Sequence, residues 1–270
     1  RTTVEMVTLN CQGLRNSDHR DTFSAWLQCC KLDVVCLQET HAITKHEFTS
    51  WLSAATAVGL NQVGYRCISS PGTNRSCGVA TLYHPRCELI SWSKDRDGRF
   101  LRCELSRDDH TLQICNIYGP NRAKEGSAFF ASLSALIDPD TPTVLCGDFN
   151  TVVDARLDRL GCNPTSPWAY NWPSSLADLV DSLDLQDAWR LQHPCAREYT
   201  WHRANGTQAS RLDMFWLSSF FLPFILQADI LPFFRSDHSY VYLKLGLPSA
   251  VHWGRGLWKF NVSHLSDTEF

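Results

Sequence analysis

The stretch TVLCGDFNTVVD, residues 143–154, decides the reading of this chain. Val144, Leu145 and Cys146 form a short continuous apolar run, the pattern of a buried strand. The run stops at Gly147 and is followed by Asp148, Phe149 and Asn150. Side chains two apart in extended chain share a side, so Asp148 and Asn150 face one way and Phe149 the other. A core strand thus ends by aiming a carboxylate and an amide at one point, which is costly unless both find partners or a ligand there.

The same peculiarity recurs along the chain. VTLNCQG (7–13) ends on Asn10 and Gln12, and VVCLQET (34–40) on Gln38 and Glu39. ICNIYGPN (114–121) carries Asn116, Tyr118 and Asn121. SRLDMFW (210–216) places Asp213 inside an apolar strand, and RSDHSY (235–240) places Asp237 and His238 at the start of the last one. Singly, each has an ordinary explanation: an Asp at a strand end makes turns, and a lone His is a satisfied core or surface residue. Gathered on one sheet rim, the carboxylates would repel one another unless a cation neutralised them. Acids and amides with one His form an oxygen-rich set that suits Mg²⁺ or Mn²⁺ rather than zinc. That chemistry fits attack of water on a phosphodiester: donors stabilise the charge on phosphorus-bound oxygen, and a carboxylate handles the water.

The remaining pattern predicts many strands with interspersed helices. Strands are expected at 4–10, 33–39, 62–69, 77–83, 87–93, 99–106, 111–118, 143–149, 198–203, 210–217, 227–233 and 238–246. Helices are expected at 17–31, capped by Ser17 or Asp18, and at 44–56, 123–136 and 174–185. Residues 151–173 read as a long surface loop, and the pattern lapses after Pro248. This mixture argues for an α/β sandwich of packed sheets covered by helices.

Composition sets bounds. The 270 residues are 44% hydrophobic and 20% charged, as in an ordinary globular protein with a sizeable core. A net charge of −3 does not advertise a nucleic-acid binder, although a local basic groove matters more than the total. No apolar run approaches 18 residues, so no membrane partner is expected. Cys36, Cys115 and Cys146 lie in strand-like runs and read as buried reduced thiols of an intracellular protein. The glycosylation-type triplets at Asn74, Asn205 and Asn261 read as chance. The chain starts at Arg1 without a signal pattern and reads as a domain cut from something longer.

The ordered set LN-x-Q-G-L, QET, NIYGPN, GDFN, RLD and SDH over residues 4–247 resembles the endonuclease/exonuclease/phosphatase superfamily. More narrowly, QETH (38–41), GDFNT (147–151) with LDR (157–159), and EYTW (198–201) resemble the endonuclease domain of LINE-type (non-LTR) retrotransposons. The resemblance implies a DNase I-like, four-layer α/β sandwich: two mixed, mainly antiparallel sheets packed face to face and flanked by helices. It implies an endonuclease domain over 1–248 and a linker or tail over 249–270, leading toward a reverse transcriptase.

It also implies roles. Glu39 is the expected Mg²⁺ ligand, with Asn10 and Asp237 on the metal side and Mn²⁺ able to substitute. Asp148 activates water, Asn150 holds the nucleophile side, and Tyr118 and Asn121 contact the phosphate. His238 stabilises the oxyanion and Asp213 orients it; Thr200, Arg211 and Gln12 are expected on the DNA side. Gln12 stands where abasic-site endonucleases have an aspartate, which agrees with the retrotransposon branch. The implied function is nicking of double-stranded target DNA in the nucleus, to leave a 3′-hydroxyl that primes reverse transcription of element RNA. The alternatives are other phosphohydrolases of the superfamily: an abasic-site endonuclease, or an inositol-phosphate or sphingomyelin phosphodiesterase.

Overall fold

The structure is a computed structural model that describes residues 2–57, 64–73, 77–161 and 172–247. The expected tail, part of the 151–173 loop and the triplets at Asn74 and Asn261 lie outside these residues. The elements run β1 (Thr3–Asn10), α1 (Ser17–Cys30), β2 (Val34–Gln38), α2 (Lys45–Ala57), β3 (Arg66–Ser70), β4 (Val79–Tyr83), β5 (Glu88–Lys94), β6 (Phe100–Arg107) and β7 (His110–Tyr118). They continue with α3 (Ala123–Leu133), β8 (Thr143–Asp148), β9 (Arg159–Leu160), α4 (Ser174–Ser182), β10 (Leu185–Asp187) and α5 (Ala188–Gln192). The last are β11 (Trp201–His202), β12 (Ala209–Ser210), β13 (Asp213–Ser218), a 3₁₀ turn (Ser219–Phe224), β14 (Ile225–Leu231) and β15 (Tyr240–Gly246).

Two six-stranded sheets form, ordered β14-β15-β1-β2-β4-β3 and β10-β13-β8-β7-β6-β5. Within these, β1–β2 and β7–β8 pair in parallel and the other pairings are antiparallel. The strand period of two sorts side chains into layers. Val34 and Cys36 of β2, Ile114 of β7 and Val144 and Cys146 of β8 fill the core between the sheets. Val7, Leu9, Val35 and Leu37 face outward onto Phe23 and Leu27 of α1 and Phe48 of α2. Cys115, Ile117 and Leu145 face outward onto Phe130 and Leu133 of α3 and Leu176 and Leu179 of α4. The layers are helix, sheet, sheet, helix, as expected.

A polar bridge ties the sheets near the site. Gln38 Nε2 donates to Asn116 Oδ1 at 2.7 Å, and Asn116 Nδ2 reaches the carbonyls of Leu37 and Ala80 across the gap. These two strand-end amides are therefore buried structural groups. At Gly147 (φ 140°) a Cβ would lie 2.0 Å from the Ile117 carbonyl oxygen, so only glycine lets β8 run this close to β7.

Several expectations shift. The α1 cap is Asn16, whose side chain accepts from His19 N, because Ser17 is already helical. The strand expected at 198–203 shrinks to β11, and β12 forms before β13; with β9 they make a small three-stranded sheet. The sequence reading missed β10 and α5, where Asp187 caps a helix too short to show a period. Cys36, Cys115 and Cys146 are buried thiols.

Candidate active site

The two parallel pairs deliver their C-terminal ends to one place. Asn10 sits opposite Gln38 in β1–β2, and Tyr118 opposite Asp148 in β7–β8. Glu39 follows β2 directly, Asp213 opens β13 opposite Asp148, and His238 precedes β15. Gln38 is spent in the bridge between the sheets, and the others converge at a cleft of about 530 Å³ whose walls include Glu39, Asp148, Asn150, Asp237 and His238.

Asn10 is the hub on one side. Its Nδ2 donates to Glu39 Oε1 and to Asp148 Oδ2, each at 2.9 Å, so one amide joins the two sheets' carboxylates. Tyr118 OH donates to the same Glu39 oxygen at 2.7 Å, and His41 Nε2 lies 3.3 Å from Glu39 Oε2. Burial would raise the Glu39 carboxyl, but hydrogen bonds from His41, Asn10 and Tyr118 outweigh it and hold it below its ordinary value. Burial and then the Glu39 charge push the Tyr118 phenol up, so it remains a donor.

On the other side His238 Nδ1 meets Asp213 Oδ2 at 2.8 Å, while its Nε2 lies 4.0 Å from Asp148 Oδ2 and 3.8 Å from Asp237 Oδ1. Burial would lower the imidazole, but the charge and hydrogen bond of Asp213, followed by Asp148, outweigh it and push it up to about 10. His238 is thus an imidazolium at neutral pH, with Asp213 fixing its ring. Asp148 shows the opposite strain. Burial pushes its carboxyl up to about 7, the Asp213 charge adds to this, and His238 and Asn10 pull it back.

Asn150 reaches the cleft by a different route from the extended alternation. It is left-handed (φ 51°), and its N–H donates to Asp148 Oδ1 at 2.9 Å in a tight turn. Its Nδ2 then donates to the Gly119 carbonyl at 2.8 Å. Phe149 faces away, buried beside Phe130. Left-handed backbone also occurs at Gln12, Glu39 and His41. Each costs about 1–3 kcal/mol, and such strain gathers where a site demands particular directions.

Two expected DNA-side residues are corrected. Thr200 is fully buried, and its Oγ1 accepts from the N–H groups of Leu212 and Asp213 at 2.9 and 3.0 Å. Its hydroxyl therefore sets the start of β13 and cannot reach a ligand. Arg211 is 1% exposed, with Nε 2.8 Å from Asp158 Oδ1 and Nη1 2.7 Å from Asp187 Oδ2. Its charge is consumed inside the protein. Gln12 and Asn121 do line the cleft, and Gln12 Oε1 accepts from Asp237 N at 3.2 Å. Tyr118 is buried, with its hydroxyl bonded to Glu39.

Three residues given no role from sequence belong to the constellation. Trp201 bridges to His238 through the backbone, and its indole N–H donates to Asp237 Oδ2 at 2.9 Å. Ser236 Oγ donates to the Asn10 carbonyl at 2.8 Å and accepts from His238 N at 3.0 Å. His41 is the third partner of Glu39. Trp201 and His41 sit in the quoted EYTW and QETH motifs, but the motif alone does not say what they touch.

The donor set fits a hard divalent cation. Glu39, Asp148, Asp213 and Asp237 surround one imidazolium, so the carboxylates outnumber the cation, and the Asp213 charge adds to the burial that raises the Asp148 carboxyl. Ligand atoms of Asp148, Asp213 and His238 lie within 4.8 Å of one another and could also hold an ion. Protonated His238 already supplies positive charge there, so the side around the Glu39 carboxylate is the better match.

Residues 7–238 match the model of the Endonuclease/Exonuclease/phosphatase family. The chain is 31% identical over 280 residues to a Xenopus laevis protein described as "Transposon TX1 uncharacterized 149 kDa protein". That match takes in 99% of this chain but spans 20% of the relative. The fold is similar to AP endonuclease LMAP from Leishmania major (TM-score 0.71, 20% identity, 91% of this chain and 88% of that one). It is also similar to an AP endonuclease from Archaeoglobus fulgidus (TM-score 0.71, 19% identity, 90% and 100% covered). A third is the 3′ phosphatase NExo from Neisseria, bound to product DNA hairpin (TM-score 0.70, 20% identity, 90% and 100% covered). Because the family model covers most of the chain, the chain belongs to the Endonuclease/Exonuclease/phosphatase family.

Proposed function

We propose that this chain is a Mg²⁺-dependent DNA endonuclease that nicks one strand of a duplex. The observation that carries the reading is the pairing of His238 with Asp213 at 2.8 Å, set against Asp148, which Asn10 joins to Glu39 in the same cleft. Asp148 takes a proton from water as the water oxygen bonds to phosphorus. The bond from phosphorus to the 3′ oxygen breaks and that oxygen takes a proton from solvent, leaving a 3′-hydroxyl and a 5′-phosphate. His238, an imidazolium held by Asp213, donates to the phosphate oxygen where charge builds. Asn150, braced on the Gly119 carbonyl, steadies Asp148 through its backbone N–H. Glu39, Asn10 and Asp237 would hold Mg²⁺, or Mn²⁺ in its place, and the bound ion would supply charge stabilisation at the phosphate.

The likeness to a transposon protein supports a further step: the 3′-hydroxyl primes reverse transcription of element RNA at the target, with the reverse transcriptase on the same polyprotein. Nicking would then occur in the nucleus, on double-stranded target DNA. The test is conversion of supercoiled plasmid to open circles in Mg²⁺. Nicking lost on Glu39→Ala supports the reading; phosphoinositide or sphingomyelin hydrolysis without nicking would replace it. An abasic-site duplex cut far faster than an intact one would favour a repair enzyme.

A further inference from the structure

The segment between β14 and β15 carries the site's Asp237 and His238, and it also carries an unexplained aromatic. Phe234 is 86% exposed, the most exposed large hydrophobic side chain among the described residues. Its neighbours leave it little freedom. On one side Phe233 is buried against α1, with its ring edge-on to Trp26 at 5.4 Å and against His19. On the other side, Ser236 Oγ is bonded to the Asn10 carbonyl and Asp237 N to Gln12 Oε1. Phe234 therefore projects from a loop pinned two residues away by the active site itself. Arg235 beside it is exposed and has no ion-pair partner among the described residues.

An exposed phenyl ring gains nothing in water; next to a guanidinium, it matches an occupant with an apolar face and a phosphate. Bases and the DNA backbone present that pair, and stacking a base on an aromatic side chain is sequence-tolerant. Four steps along the chain lead from Phe234 to His238, so their Cα atoms are at most about 14 Å apart. At 3.4 Å per step, that reach covers roughly four base steps from the attacked phosphate.

Resting on the nuclease reading, we infer that Phe234 is a wedge that stacks on or enters a base step beside the nick, with Arg235 neutralising the adjoining phosphate. The wedge selects sites that open easily. Pyrimidine–purine steps unstack most readily, so they should be enriched within about four steps of the nick.

The test uses the full 270-residue chain on two substrates. Nick positions are sequenced on supercoiled plasmid in Mg²⁺, and base opening is read separately with 2-aminopurine duplexes in Ca²⁺. Phe234→Ala should lower kcat/KM on plasmid about tenfold and flatten the step preference, and Phe234→Trp should restore both. The 2-aminopurine signal should rise with the parent protein and with Phe234→Trp but not with Phe234→Ala. Hydrolysis of bis(p-nitrophenyl) phosphate should be the same for all three, since that substrate has no base. Equal step preference and equal 2-aminopurine signal in Phe234→Ala overturn the wedge while leaving the nuclease reading intact. A Phe234-dependent signal without nicking supports the wedge and removes the nuclease reading instead.

Discussion

Two clusters of buried charge lie two residues apart on the chain, and they are built to opposite rules. Around Arg211, the guanidinium meets Asp158 and Asp187, and Arg190 also pairs with Asp158: two cations against two anions, each directly engaged. Around Asp213, four carboxylates share one imidazolium. Burial would raise the Asp158 carboxyl, but the hydrogen bond and charge of Arg211 outweigh it and hold it down. Asp148 is pushed up, first by burial and then by the Asp213 charge. A balanced cluster holds β9, α5 and the approach to β13 together. An unbalanced one costs stability and stores the electrostatic demand that a cation and a phosphate can meet.

The largest expected effect tests the unbalanced side. Asp148→Asn should reduce nicking at least about a thousandfold while leaving the melting temperature unchanged or higher. Plasmid nicking and thermal unfolding measured together check this; a variant that nicks normally removes Asp148 from the chemistry, and one that melts much lower makes it structural. Next, Arg211→Met should cost about 3–5 kcal/mol in urea unfolding, because Asp158 and Asp187 lose a buried partner. A loss of affinity for DNA without loss of stability would restore Arg211 to the DNA side.

The pH dependences should have opposite signs. Asp158 titrates lower in the folded chain than unfolded, so its contribution is present above the ordinary carboxylate value of about 4 and is lost as pH falls through the folded value. Asp148 titrates at about 7 when folded, so its contribution is full below about pH 4 and is lost as pH rises through about 7. In EDTA, the unfolding free energy of Asp148→Asn relative to the parent should improve with rising pH. The deficit of Asp158→Asn should instead shrink in acid. Parallel slopes would break the contrast. The smallest effect concerns Thr200→Val, which strips the acceptor from two backbone N–H groups and should cost about 1–3 kcal/mol with DNA affinity of the folded protein unchanged.

The legible part of the site was the set of polar residues that interrupt apolar strands. Asn10, Glu39, Asp148, Asn150, Asp237 and His238 were readable because each is a polar residue at or just beyond the point where an apolar strand run starts or stops, although the left-handed turn that carries Asn150 was not. Asp213 was readable because a carboxylate inside RLDMFW needs a partner. Arg211 and Thr200, in and beside the same motifs, looked equally exposed to a ligand, yet the structure buries both. Local sequence does not reveal that Asp158 and Asp187, distant in the chain, converge on one guanidinium.

The sequence by itself determined the longer strands and helices and the layered α/β class, and it named the polar residues at the strand ends, because alternation and strand-ending polar residues are local properties. Only the tertiary structure decided which polar residues face solvent and which are spent inside. It set Gln38 and Asn116 as a bridge between sheets, Arg211 as a structural cation and Trp201 as the partner of Asp237. These are long-range pairings, and they are chosen by how two sheets pack rather than by any spacing along the chain.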